Sequence, residues 1–366
     1  MKAEFLVENI ENFLLTLSKI LPLHSQIPVL SNILIEVEDE GLFISATNLE
    51  VGIRIKIPAK TEAKGAITVP GKQFIEVIST LSKDKVSISL EKDSFIIESR
   101  GNRVSFQTIA KDEFPTLFEK KGEELYVFKN KELHDIFSKL VFAVSLDEGR
   151  PELTGILISQ KNEKIDFVAT DGFRLSLKKI IGKNILKGQK SLIIPAKIIT
   201  DALSLKGEDI SMFVYEGSNQ IVFETENVVL IGRIINGEFP NYERVVPASS
   251  KTKIILDKQV LEQNLRFSSV FARESANIVR FKVEGEKVKI YAKSAGLGEG
   301  EAVIDAEKSG EDNEIAFNVK FVMDILKNIE SQSVIIELSS ALEPAVFKTE
   351  DDQDFLHIIM PVRLQE

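Results

Sequence analysis

Within FLVENIENFLLTLSKIL (Phe5 to Leu21), apolar residues fall at Ile10, Phe13, Leu14, Leu17, Ile20 and Leu21. That spacing predicts a helix with one buried face, entered from a short strand. The same order returns at YVFKNKELHDIFSKLVFAV (Tyr126 to Val144), with Leu133, Ile136, Phe137 and Leu140 on the apolar side, and at IILDKQVLEQNLRFSSVFA (Ile254 to Ala272). Each copy has a second strand-to-helix passage: VPGKQFIEVISTL, IPAKIITDALSL and FNVKFVMDILKNI. Pro70 and Pro195 open two of these helices, and Asn318, a good N-cap residue, opens the third. Between helices the pattern switches to period 2. DKVSISLEKDSFIIESRGNRVSFQTI predicts alternating strands with turns at Lys92-Asp93 and Gly101-Asn102.

The copies keep register. Ala46-Thr47-Asn48 is followed 123 residues later by Ala169-Thr170-Asp171, and Ala292-Lys293-Ser294 follows after another 123. Pro70 and Pro195 are 125 apart, and Asn318 lies 123 further on. The expectation is three similar domains, 1–120, 121–249 and 250–366, each with about two helices and six to eight strands. The fold class is α+β. Side by side with a constant rotation such domains form an arc, and arcs joined head to tail close into rings.

The composition narrows this picture. The chain has 366 residues and no cysteine, which excludes disulfides, thiolate metal sites and cysteine nucleophiles and fits a reducing cytoplasm. MKAEFLVENIENF carries acids where a secretory signal would be apolar, and the apolar run VVLIGRII is broken by Gly232 and Arg233, too short to cross a bilayer. The formal net charge is -10, which argues against non-specific wrapping of nucleic acid.

A local basic face is nevertheless legible. Lys72, Lys197 and Lys320 each stand two residues after the landmark Pro or Asn, in the first turn of a helix. There a lysine opposes the macrodipole by a few tenths of a kcal/mol, a cost that an external anion would offset. Surface lysines on helices are ordinarily only solvated. It is the threefold recurrence that points to phosphate. Lys19, Lys131, Lys139, Arg266, Arg273 and, in SLDEGRP, Arg150 add to it. No base-reading motif is present, so sequence-specific readout is not expected.

No catalytic constellation emerges. His24, His134 and His357 lie in different domains and share no metal-ligand spacing, so packing or surface roles are expected and no metal site. AGLGEGE (Ala295 to Glu301) is followed by a strand rather than the helix that a phosphate loop needs, and reads as a hairpin loop. Asp351-Asp352 lies in the polar run KTEDDQD and is expected to be solvated. No catalytic residue and no cofactor are assigned. A non-enzyme is favoured.

ATDGFRL (Ala169 to Leu175), GEFPNYERVVP, the terminal MPVRL and the threefold repeat resemble the bacterial sliding clamp, the beta subunit of DNA polymerase III. IPVLSNILIEV, LFISATNLEVGIRI, VPGKQF and FNVKFVMDIL fit the same family, and the resemblance covers essentially the whole chain. It implies a head-to-tail homodimer, a six-domain ring lined by twelve helices that encircles double-stranded DNA without sequence preference. Such a ring tethers the polymerase and is opened by a separate clamp loader.

The resemblance also implies a groove that takes short linear motifs of polymerase subunits, the loader and repair proteins. Leu153, Thr170, Gly172, Phe173, Arg174, Leu175, Pro240 and Val245 would form one wall. Asn318, Phe321, Ala345, Val346 and Met360, Pro361, Val362, Arg363 and Leu364 would form the other. Lys19, His24, Lys72, Lys139, Arg150, Lys197, Arg266 and Lys320 would face DNA. At the dimer interface Val104 and Phe106 would pack against Val270 and Phe271, with Lys72 and Arg103 facing Glu299 and Glu301.

The chain departs from the family in three places. His24 stands where an arginine is common, and an ordinary histidine is mostly uncharged at neutral pH. The loop Asp147 to Glu152 lacks an aromatic pair. Gln365 and Glu366 extend past the usual terminal leucine. Two other readings stay open: a hydrolase using Asp171 at a domain junction, and a repeat scaffold that does not touch DNA.

Overall fold

The computed structural model describes residues 1–117, 122–182, 184–187, 191–215 and 219–363, so Leu364, Gln365 and Glu366 lie outside the described residues. Among them are six α-helices: α1 (Val7–Ile20), α2 (Gly71–Thr80), α3 (Asn130–Phe137), α4 (Ala196–Ala202), α5 (Lys258–Ala272) and α6 (Val319–Asn328). All strand pairings are antiparallel, in sheets of five, eight, nine and four strands. The fold class is as expected from the pattern. Strands number nine, eight and nine in successive copies, more than expected in the outer two. The extra ones include the short Ala59–Ala63 and Glu307–Gly310, which add to Lys2–Leu6 and Thr252–Asp257 and are too polar to show alternation.

The chain divides into two compact units, Met1–Lys131 with Lys197–Ile234, and Glu132–Ala196 with Ile235–Glu366. In the first, α1 buries Ile10, Leu14, Leu17 and Ile20 and α2 buries Phe74 and Ile78. The eight-stranded sheet belongs to this unit. In it Val228–Arg233 pairs with Val51–Ile57, so strands of the first and middle copies form one sheet. Gly232 sits at that junction, where a Cβ would fall 2.1 Å from the Ile198 side chain of α4.

In the second unit the nine-stranded sheet pairs Arg174–Ile181 with Phe355–Ile359, the same kind of junction between middle and last copies. Leu261 and Leu265 of α5 and Val322, Ile325 and Leu326 of α6 share its core with Phe281, Phe317 and Phe347. Asp257 caps α5 by accepting from Val260 N–H at 2.8 Å, and Asn318 caps α6 by accepting from Lys320 N–H at 3.0 Å.

Two expectations fail beside this junction. The helix foreseen after a short strand within Tyr126 to Val144, with Leu140 on its apolar side, ends at Phe137, and Val141–Ala143 forms a 3-10 turn. Ser138 turns its hydroxyl back onto the His134 carbonyl, a local bond that competes with helix continuation. Asp352 is not solvated: its carboxylate takes Lys139 and Lys178 at 2.6 Å each, with the three side chains only 10–12% exposed. Burial would raise the Asp352 pKa, but the hydrogen bonds from Lys139 and Lys178 outweigh it and hold the group below its ordinary value of 3.8.

Asp352→Asn would leave two nearly buried lysines with only Asp135, so it should cost about 2–4 kcal/mol at pH 7. Because the carboxyl's folded pKa is depressed, its contribution is present above the ordinary value and lost as pH falls through the folded one. Urea unfolding of wild type and variant at pH 7 and pH 3 checks this, with the gap expected to narrow at pH 3.

Candidate functional site: an apolar groove on the nine-stranded sheet

ATDGFRL forms a tight turn between the strands Lys164–Thr170 and Arg174–Ile181. Thr170 Oγ1 donates to the Arg174 carbonyl at 2.6 Å and accepts from Gly172 N–H at 3.1 Å. Asp171 Oδ1 accepts from the N–H groups of Phe173 and Arg174. Gly172 takes φ +90°, which a residue with a Cβ adopts only with strain. The first copy builds the same turn with Thr47 and Asn48.

Arg174 is the hub behind the turn. Its side chain is 10% exposed, with Nε on Asp171 at 3.1 Å and Nη1 on Asp324 of α6 at 2.6 Å. The guanidinium lies 4.6 Å from the ring centre of Phe321 and 5.6 Å from that of Phe142. The groove wall is thereby fixed to α6.

In front of the turn lies a cavity of about 150 Å³, lined by Leu153, Thr170, Gly172, Arg174, Leu175, Pro240, Asn241, Tyr242, Val245, Ile358 and Met360. Eight of these belong to the expected groove, brought together from segments far apart in sequence. Asn241, Tyr242 and Ile358 were not foreseen. Tyr242 is buried and its hydroxyl donates to Asp166 Oδ2 at 2.8 Å. Burial, then that bond, pushes its pKa far up, so it stays a neutral donor. The sequence signal available was an aromatic just after Phe239-Pro240, but Asp166 lies 76 residues away.

Among the described residues, the other expected groove residues do not line the cavity. Phe173 is 61% exposed, and its carbonyl accepts from Met360 N–H. Val346 pairs with Ile358 in the floor and Ala345 with Ile359, both buried. Asn318 serves as the α6 cap, and Phe321 stacks on Arg174. Val362 N–H donates to the Ala316 carbonyl, Pro361 is half-buried and Arg363 exposed.

In the first copy the corresponding place is filled. Gly52 stands at the place of Leu175, and Leu117, at the place of Tyr242, packs so close that a Cβ on Gly52 would fall 2.9 Å from it. The nearby cavity of about 380 Å³ is lined by charged groups including Glu36, Arg54, Lys111 and Asp112.

The cations expected to face DNA divide. Lys19, His24 and Lys320 are exposed. Lys72 is exposed and donates to the Leu23 carbonyl, beside His24. Lys197 holds Asp201 at 3.2 Å and Arg266 holds Glu262. Arg150 pairs with Asp147, and its Nη1 lies beside Gly172, which puts it at the groove's rim. Lys139 contradicts the expectation: it is nearly buried and saturated by Asp135 and Asp352.

At the expected dimer surface, Phe106 points into its own unit, opposite Phe95, because Val104 and Phe106 share the inward side of a period-2 strand. Arg103 holds Glu91, Glu299 accepts from Tyr291, and Glu301 pairs with Lys289. Val270 is exposed and Phe271 half-buried, and Phe267, not foreseen, is 51% exposed. Of the histidines, His24 and His134 are exposed. His357 is buried near Phe142 and Phe347, with Nδ1 2.7 Å from Ser176 Oγ, and burial followed by the Arg174 charge lowers its pKa to about 3. No group of three or more acidic or histidine side chains among the described residues could hold a metal ion. No described helix is long and apolar enough to cross a membrane.

Three family models match almost the full chain: the N-terminal, central and C-terminal domains of the DNA polymerase III beta subunit, over residues 2–118, 127–241 and 243–363. The chain belongs to the DNA polymerase III beta subunit family. Among its relatives in this beta-subunit family, the beta sliding clamp of Chlamydia pneumoniae is 30% identical over 358 residues, 97% of each chain. That of Chlamydia muridarum is 29% identical over 359 residues, again 97% of each. The solved beta subunit of Thermotoga maritima superposes with a TM-score of 0.90 at 27% identity, and the Bacillus subtilis sliding clamp with 0.93 at 25%, each over 100% of both chains. A Pseudomonas aeruginosa sliding clamp bound to griselimycin gives 0.93 at 25%, also over 100% of both chains.

The Arg174 hub predicts its own test. Arg174→Ala would leave Asp171 and Asp324 without their shared cation and should cost about 2–4 kcal/mol in urea unfolding. Arg174→Lys should recover only part, because an ammonium cannot bridge both carboxylates and stack on Phe321. A lysine variant as stable as wild type would remove the forked geometry from the account.

Proposed function

We propose that the chain is a DNA polymerase processivity factor. Two copies join head to tail into a ring of six domains, each chain supplying 1–120, 121–249 and 250–366. The ring encloses duplex DNA in the cytoplasm without sequence preference, and the groove holds short linear motifs of polymerase subunits, the clamp loader and repair proteins. It performs no bond-making chemistry.

The observation that carries the ring is a missing third junction. The last strand of the middle copy pairs with a strand of the first, and the last strand of the last copy pairs with its counterpart in the middle copy. By the same rule the last strand of the first copy, Asn102–Gln107, needs Gly298–Asp305. Both are edge strands, of the five- and four-stranded sheets. Unpaired edges of this kind invite another chain. Moving the observed pair Val228↔Ile55 by the repeat spacings, back 125 on one side and on 246 on the other, sets Arg103 opposite Glu301. Val270, Phe271 and Phe267 of α5 supply apolar surface beside that edge, with Phe271 packed on Gly300.

For the groove, the support is an apolar cavity walled by a rigid turn, with Met360 and Val245 half-exposed at its mouth. The relative bound to griselimycin adds that a protein of this fold accepts a ligand. For DNA, the support is the exposed set Lys19, Lys72, Lys197, Arg266 and Lys320 on or beside helices.

Two measurements test this reading. Phe271→Asp should turn dimers into monomers in sedimentation velocity, and an unchanged dimer would place the interface elsewhere. Protein loaded on nicked circular DNA should be retained in gel filtration and lost when the circle is cut. Equal loss from both forms would overturn enclosure.

A further inference from the structure

Resting on the groove reading, we propose that the cationic shelf next to the groove binds an acidic stretch of the same partner peptide. The face of the nine-stranded sheet that carries the groove changes character along its strands. Leu157, Val168, Leu175, Leu177 and Ile193 make the apolar part under Tyr242. Further on, the cross-strand rows become Ser159, Asp166 and Lys179, then Lys161, Lys164 and Ile181. Lys161 and Lys164 stand directly opposite one another, a like-charge pair that destabilises the hairpin.

These residues line a cavity of about 250 Å³ that shares Tyr242 with the groove as a common wall. Glu243 pairs with Lys161 at 2.6 Å, and Asp166 accepts from Tyr242. Among the described residues neither Lys164 nor Lys179 has a carboxylate within ion-pairing distance, so the shelf keeps an excess of positive charge on a chain of net charge -10. Ile181, 64% exposed, gives it an apolar floor.

The shelf looks away from α3. Ser176 and Lys178 point to the opposite face, where Lys178 reaches toward Asp135 of α3, so Leu175, Leu177 and Lys179 share the groove side. A duplex held against α3 would not touch it. A peptide anchored in the groove would. From Leu175 to Lys179 is four residues of strand, roughly 13 Å at about 3.3 Å per residue. An extended peptide therefore brings a side chain about four positions from its apolar anchor over Lys164 and Lys179. Carboxylates there complement the charge, and the small, screened gain suits a modulator of affinity rather than a second anchor.

The test uses two labelled ten-residue peptides with the same Leu-Leu anchor, one with two glutamates four and five positions away and one with glutamines there. Fluorescence anisotropy at low salt should give roughly three- to tenfold tighter binding for the acidic peptide, shrinking as salt rises. Lys164→Glu with Lys179→Glu should abolish that preference and leave the glutamine peptide unchanged, which also reports that the variant is folded. Lys164→Gln with Lys179→Gln should abolish most of it. Equal binding of both peptides to wild type overturns the shelf and leaves the groove standing. If neither binds, the groove reading falls and the shelf with it. Displacement of the acidic peptide by a duplex oligonucleotide, from wild type but not from the glutamate variant, would reassign the shelf to nucleic acid and overturn the proposal.

Discussion

Antiparallel pairing at sheet edges is the constraint from which the rest follows. A strand edge carries unpaired N–H and C=O groups, and these must find partners in protein or water. In this chain the middle repeat satisfies two such edges. Val228–Arg233 closes on Val51–Ile57, and Arg174–Ile181 closes on Phe355–Ile359. The middle repeat is therefore divided between two compact units, although in sequence it reads as one domain. Repetition in sequence and compactness in space differ here because the backbone bonds that join copies are of the same kind as those within a copy.

The second junction carries more charge than its hydrogen bonds require. Lys139, Lys178 and Asp352 lie at one end of it, and Arg174 with Asp171 and Asp324 at the other. Nearly buried ion pairs add little net stability, because desolvation cancels much of the attraction, but they penalise any arrangement that separates the partners. Arg174 therefore acts mainly on geometry, holding the groove turn to α6 while Phe321 and Phe142 cover its faces. The groove is preformed because its back wall is an ionic and aromatic joint.

Much of this was legible in the sequence. The periodic apolar faces of α1 and α5, the Asn318 cap and the repeat spacing were all readable from residues, because each is a local pattern. The resemblance supplied eight of the eleven cavity residues, six of them in ATDGFRL and GEFPNYERVVP, with Met360 in the terminal MPVRL and Leu153 besides. What escaped depended on distant partners. Asp352 looked solvated because its lysines are 174 and 213 residues away. Lys139 looked like a helix-surface cation because the end of α3 rests on a Ser138 hydroxyl bond, which periodicity does not report. Ile358 gave no sign of its role, since a buried strand residue and a cavity floor share one sequence signature.

The side chains also bear on how DNA would be held. Of the eight residues expected to face it, Arg150, Lys197 and Arg266 already hold carboxylates, Lys139 is closed off, and Lys72 is bonded to a carbonyl. A cation that must first leave its own acid gains less from a phosphate than a solvated one, so the electrostatic grip per residue is weakened. A protein that bound DNA by attraction alone would be poorly served by this arrangement. For one that keeps DNA by enclosure it is an advantage, since strong phosphate contacts would have to be broken at every step along the duplex. The net negative charge and the internally paired cations thus point the same way: retention would come from the closure of the two open sheet edges, and the inner surface needs only to be non-repellent.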